Sequence, residues 1–337
     1  MNRYLSLPLS GWALLIWMLA PWLFPVKVYA AEQVEPRITI LSTMVANFSG
    51  EGEWGFSAVV ETEQESILFD TGFKSHTVLN NAKLLGVDLS WIEKVVLTHF
   101  HTDHTGGLLT LREAFRAENE QALSQVYVAK GFFAQRFTND GTRVYSLPAQ
   151  TFTQSFSTPE AFKSAGEALG IEFIVIDEPT EIAPGMILSG PIERVHDEKN
   201  VSPGRFLKSP AGQLTPDHIP ESQVMGIHTD KGWVLVSGCG HAGIVNAAEA
   251  LKRIEDKPIH LGVGGFHLFR ASDQVIDWTA SQLQTFGLQK FVGAHCTGAY
   301  ATHRIADLLD ISRKDVSIGA IGTQIEAELS IRRASID

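Results

Sequence analysis

Four residues able to ligate a metal fall within six positions at the end of one apolar run. They are His99, His101, Asp103 and His104 in Thr98-His-Phe-His-Thr-Asp-His-Thr-Gly106-Gly107, directly after Lys94-Val-Val-Leu97. Side chains alternate along an extended segment, so His99 and His101 point to one side and can share an ion. A turn into helix near Asp103 redirects its carboxylate and the His104 imidazole toward a neighbouring second ion. Gly106 and Gly107 permit that sharp turn and a close approach of backbone. Neutral imidazole with carboxylate suits zinc, with iron and manganese as competitors.

Three more histidines stand at or just after apolar runs and beside glycine. They are His241 in Ser237-Gly-Cys-Gly-His-Ala-Gly243, His267 in Gly264-Gly-Phe-His-Leu268 and His295 in Gly293-Ala-His-Cys-Thr-Gly298. Loops held by a rigid sheet can bring such distant residues to one point. His76, His196, His218, His228, His260 and His303 have no clustered partners and read as surface or structural residues. Arg143, Arg205, Lys208 and Arg270 read as solvated charges.

The composition suits a large sheet core. Hydrophobic residues make up 44% of the 337, charged ones only 19%, and 29 glycines supply turns. That balance excludes disorder. Apolar runs rich in β-branched residues predict strands at Ile38–Leu41, Ser57–Val60, Ser66–Phe69 and Lys94–Thr98, and later at Val224–His228, Trp233–Ser237, Ile259–Val263 and Lys290–Gly293. Three- and four-residue apolar spacing predicts helices at His76–Leu85, stopped by Gly86, and at Ile244–Ile254 and Ser272–Phe286. The stretch 119–222 is crossed by many prolines and reads as an irregular cover of strands with long loops. Interleaved strands and helices at both ends, with no linker between, favour one α/β domain over 31–337.

Other classes fall away on charge and cysteine count. The formal charge of −11 provides no bulk basic face for nucleic acid. Two cysteines cannot build a disulfide framework. Cys239 and Cys296 each neighbour a proposed ligand, and either packing beside the site or an inter-cysteine disulfide fits them.

Residues 1–30 read as an export signal: Arg3 precedes an apolar stretch, Gly11 to Val26, that ends at Val28-Tyr-Ala30. Pro21 and Pro25 shorten the run below the ~20 residues a bilayer span needs. Cleavage after Ala30 is expected, giving a periplasmic or secreted protein with no stable membrane association.

Leu68-Phe-Asp70-Thr-Gly72 followed by the Thr98–His104 motif resembles the metallo-β-lactamase superfamily. Gly238-Cys-Gly-His-Ala-Gly-Ile-Val-Asn246, Gly264-Gly-Phe-His-Leu268 and His295-Cys-Thr-Gly298 resemble its branch named after dihydropterin ribofuranosylaminobenzene-phosphate synthases. The resemblance implies a four-layer αββα sandwich with a metal site at the sheet edges. It assigns His99 and His101 to a first metal and Asp103 and His104 to a second, with His241 and His295 completing the shells and Asp70 orienting the metal loop. One departure stands out: the usual pattern has a bridging aspartate where this chain reads Ser237-Gly238-Cys239.

These readings lead to a metal-dependent hydrolase acting on a small ester, lactone, amide or phosphoester. One or two zinc ions, or iron or manganese, would activate water toward a pKa of ~7. Asp103 would position that water and take its proton, and His267 would protonate the leaving group or bind substrate. The alternatives are a pterin-synthase-like condensation and a metal-stabilised binding protein without turnover.

Overall fold

A computed structural model describes residues 32–143, 158–198, 200–201, 203–209 and 211–335. The expected export signal at 1–30 lies outside the described residues. Among those described, no helix is long and apolar enough to cross a membrane.

The chain first lays down β1 (Arg37–Ser42), β2 (Ser57–Glu61), β3 (Ser66–Phe69), β4 (Lys94–Leu97), β5 (Gln125–Ala129) and β6 (Glu172–Ile176) in one sheet. It crosses to a second sheet with β7 (Thr180–Ala183) and β8 (Met186–Leu188), then forms a hairpin of β9 (Phe206–Lys208) and β10 (Leu214–Pro216). The second sheet continues with β11 (Met225–Thr229), β12 (Gly232–Ser237), β13 (Ile259–Gly264), β14 (Lys290–Gly293) and β15 (Val316–Ser317). Finally β16 (Gln324–Glu326) and β17 (Ser330–Arg332) return to the far edge of the first sheet. Strands β3 to β6 run parallel to one another, and so do β12 to β15.

Among the described residues, seven α-helices punctuate this path: α1 (Thr77–Leu85), α2 (Thr102–Thr105), α3 (Leu108–Phe115), α4 (Pro159–Ala168), α5 (Ile244–Ile254), α6 (Asp273–Thr285) and α7 (Ala299–Leu308). Gly86 ends α1 in the left-handed region, with φ 69°.

Among the described residues, three apolar cores define the layers. The first lies between the sheets, where Ile67 and Phe69 of β3 meet Val234 and Val236 of β12. In the second, Leu68 faces α1, α3 and α4 through Val78, Leu108 and Phe162. In the third, Trp233 and Leu235 face α5, α6 and α7 through Leu251, Ile276 and Ile305. Neighbouring residues of one strand thus enter different cores, as the alternation of side chains requires. Each fully buried side chain of this kind contributes ~1.5–3 kcal/mol. The result is the expected four-layer αββα sandwich.

The stretch 119–222 is more integral than a cover. It supplies β5 and β6 to the first sheet, β7 and β8 to the second, and α4 to an outer layer. Its described prolines fall in the connections and at strand or helix ends; Pro159, for instance, occupies the first turn of α4 behind the capping Thr158.

Candidate metal centre

Five segments meet outside the carboxyl ends of parallel strands: Asp70 after β3, His99 to His104 after β4, Cys239 and His241 after β12, His267 after β13, and His295 after β14. Ends of this kind are where open α/β sheets gather ligands. His99 and His101 do lie together, their rings 4.5 Å apart. The ring of His241 is 4.6 Å from that of His99 and 4.9 Å from that of His101. His101, still extended, immediately precedes the short helix α2, which swings Asp103 and His104 toward His295. Asp103 Oδ2 is then 3.6 Å from His104 Nε2 and 3.4 Å from His295 Nε2.

The imidazoles are held from behind. His104 Nδ1 donates to Asp70 Oδ2 at 2.7 Å, and His241 Nδ1 donates to the Asn200 carbonyl at 2.8 Å. Metal-ligating histidines characteristically fix their second nitrogen in this way. The opposite nitrogens, His104 Nε2 and His241 Nε2, are buried without a hydrogen-bond partner among the described residues. A buried polar atom in that state is costly unless something occupies the space before it. A cation fits both the orphaned nitrogens and the donor chemistry.

Asp70 is fully buried and accepts from the Thr98 amide at 2.8 Å and the Thr98 hydroxyl at 2.9 Å. Its backbone, like those of His267 and His295, lies in the left-handed region at φ 53°, 51° and 46°. Such conformations persist in non-glycine residues where surrounding structure fixes them, and they gather at functional sites.

The glycines act by smallness at this turn. Gly106 and Gly107 have ordinary helical φ of −64° and −89°. A Cβ at either would overlap a carbonyl oxygen, that of Phe73 or of Thr71. Of the two reasons expected for them, close approach is the one at work.

Charge separates the residues into two groups. Burial pushes His99 and His241 well below the usual imidazole value, leaving the neutral rings that bind metals. Burial lowers His104 too, but Asp70 and Asp103 outweigh it and hold the ring up to about 10. His295 is likewise pulled up to about 9 against burial, by Cys296 and then Asp103. Burial raises the Asp103 carboxyl, yet His104 and His295 bring it well below its ordinary value. Metal entry at the second position therefore has to displace protons.

Other residues support the expected ligands, and of these Arg194 and Glu221 carry no sequence pattern. Cys239 Sγ lies among the donors: it groups with His99 and His241, with His104 and His295, and with His267 and Cys296, all donor atoms in each group within 4.8 Å. Both cysteines are free, with sulfurs 3.1 Å apart, so the structure holds no disulfide. Arg194 clamps the His241 loop, donating to the carbonyls of His241 and Ala242. Behind the 99–101 turn, buried Glu221 accepts from the Phe100 amide at 3.4 Å and pairs with Arg136 at 2.5 Å.

His267 faces a cavity of about 580 Å³ whose wall includes Phe269, Arg270, Trp278 and Glu198. Trp54 packs edge-on to both His295 and Phe269, at 5.2 and 5.1 Å, forming an aromatic shoulder beside the centre. Arg270, which read as a solvated charge, stands over the Phe269 ring at the cavity.

Comparison with known proteins agrees with this architecture. The model of the metallo-beta-lactamase superfamily matches residues 55–239, and the chain belongs to that superfamily. It is 29% identical over 252 residues to the 7,8-dihydropterin-6-methyl-4-(beta-D-ribofuranosyl)-aminobenzene-5'-phosphate synthase of Methanocaldococcus jannaschii, covering 72% of this chain and 81% of the relative. The solved structure of Tm1679, described as a metal-dependent hydrolase of the beta-lactamase superfamily, is 27% identical with a TM-score of 0.64. That match covers 87% of this chain and 99% of Tm1679.

Proposed function

We propose that this chain is an exported metal-dependent hydrolase of a small ester, lactone, amide or phosphoester, with zinc as its metal. The observation that carries the reading is the pair of buried nitrogens that make no hydrogen bond among the described residues, His104 Nε2 and His241 Nε2, each oriented by a bond to its other nitrogen. His99, His101 and His241 hold one ion; Asp103, His104 and His295 hold a second. A bound divalent ion supplies water of lowered pKa and polarises a substrate oxygen. Asp103 Oδ2, lying between His104 and His295, orients the attacking water and takes its proton. His267 passes a proton to the leaving group from the wall of the 580 Å³ cavity, whose size suits a small molecule. The export signal at 1–30 puts this activity in the periplasm or outside the cell.

The likeness to the M. jannaschii synthase supports a second reading, a pterin-synthase-like condensation. Export speaks against it, since folate-type precursors are made in the cytosol. One screen separates the two. The purified protein is offered ester, lactone and phosphodiester panels and, separately, the condensation substrates, each before and after chelation. Hydrolysis that falls with chelation and drops at least ~100-fold in His101→Ala is expected. Full hydrolytic activity in metal-free protein contradicts the proposal, and condensation product without hydrolysis replaces it.

A further inference from the structure

The cavity of about 580 Å³ adjoins the metal centre, because His267 stands in its wall and the His267 ring is 4.6 Å from that of His241. We infer that this cavity seats the leaving group of the substrate and that the group is an uncharged aromatic alcohol, which makes aryl esters of carboxylic acids, and not phosphomonoesters, the class hydrolysed. The inference rests on the hydrolase reading above and narrows its substrate types to one.

The wall is aromatic where it is flat. Phe269 and Trp278 line it, and the Phe269 ring stands edge-on to His267 at 5.3 Å. On α6, Val275, Trp278 and Thr279 are three and four residues apart, so they share one helical face. Val275 and Trp278 remain 44% and 37% exposed on it. Apolar surface gathered beside a reactive centre and left open is the mark of a ligand site.

Charge argues against phosphate. Among the described residues, the lining holds one cation, Arg270, against two carboxyl groups, Asp197 and Glu198. The Arg270 guanidinium lies over the Phe269 ring, 5.1 Å from its centroid, so that it extends an aromatic wall. The N-terminus of α6 also reaches the cavity, but it is already served. Ser272 caps it by accepting from the Val275 amide at 3.4 Å, and Asp273 puts a carboxylate in its first turn. A phosphate dianion there would meet that acid, whereas phosphate sites gather arginines or open helix amides.

The orientation follows from His267, which passes its proton to the leaving group. Water adds to the acyl carbon, the bond from that carbon to the aryloxy oxygen breaks, and the aryloxide takes the proton and departs as a phenol. The acyl part keeps the oxygen of the water, so ester plus water gives acid plus phenol.

The full chain, loaded with zinc, is assayed on naphthyl acetate, methyl acetate and naphthyl phosphate, and its binding of naphthol is measured by calorimetry with and without zinc. Naphthyl acetate is expected to be hydrolysed, and naphthol to bind in both states because the seat is built from side chains alone. Trp278→Ala is expected to lower the preference for naphthyl over methyl acetate ~10-fold, through KM more than kcat, and to weaken naphthol binding to match. Val275→Lys should weaken naphthol binding as well, since it sets an ammonium in an apolar wall. Wild-type protein that binds no naphthol, or a Trp278→Ala preference equal to wild type, overturns the seat while the hydrolase reading stands. So does faster hydrolysis of naphthyl phosphate than of naphthyl acetate, or hydrolysis confined to lactones and amides. Absence of hydrolysis from every ester, lactone, amide and phosphoester tried overturns the hydrolase reading itself, and this inference with it.

Discussion

Asp70 holds two strand ends in register with one carboxylate. It takes the Thr98 amide and hydroxyl at the start of the metal loop and the His104 imidazole at its far end. Nothing larger than glycine fits against it from the other sheet. A Cβ at Gly238 would overlap Asp70 Oδ2 and Thr98 Oγ1 and crowd His104 Nδ1 at 3.0 Å. Gly238→Ala is therefore expected to destabilise the fold by about 1–3 kcal/mol and to weaken metal uptake, read from urea unfolding and metal titration. An alanine variant equal to wild type in both would mean that the two sheets are not locked together here. The Asp-Thr-Gly turn and the 99–104 motif were legible in the sequence because their donors sit close along the chain. Cys239 was legible only as a neighbour of an expected ligand, since a single cysteine beside glycine has no spacing to betray which way its sulfur points.

Helix α5 illustrates a different dependence, on pH. Its first turn carries no acid of its own, and Glu198, 46 positions before Ile244, reaches across to accept from the Val245 amide at 3.2 Å and the Asn246 amide at 2.8 Å. Burial pushes the Glu198 carboxyl up to about 7, more than those amide bonds lower it. The folded state thus holds this proton more tightly than the unfolded chain, whose carboxyl titrates near ~4.3. Its contribution to stability is fully present below that lower value and is lost as pH rises through about 7. Unfolding of the wild type compared with Glu198→Gln between about pH 5 and about pH 8 should show a downward slope in the wild type that the glutamine variant lacks. Equal slopes would contradict the role given to this carboxylate. Helices α5 and α6 themselves could be read from apolar spacing to within a residue at each end, because their buried faces are regular. The Glu198 cap could not, because the contact reaches across four intervening strands, β9 to β12, and no periodic pattern in the sequence encodes it.

Taken whole, the molecule is two sheets that close on each other at one edge. Strand β4 delivers three imidazoles and a carboxylate from the first sheet, and β12 and β14 deliver two imidazoles from the second. The layered architecture was readable at both ends of the chain, where runs such as Trp233–Ser237 alternate between two apolar cores. The middle was harder. Gln125–Ala129 and Glu172–Ile176 are short strands separated by a long passage, and their membership of the first sheet depends on β5 pairing with β4 and β6 pairing with β5. Residues brought together from such distances, including Arg194 against the His241 carbonyl, become visible only once both sheets are assembled.

Metal content per chain, measured by elemental analysis on the purified full chain and on variants from each sheet, tests this convergence most directly. One or two ions per wild-type chain are expected, with a clear loss in His99→Ala from the first sheet and an equally clear loss in His241→Ala from the second. A wild type that holds no metal after exposure to zinc, or a His241→Ala variant that keeps the full wild-type complement, would show that the two sheets do not share a cation.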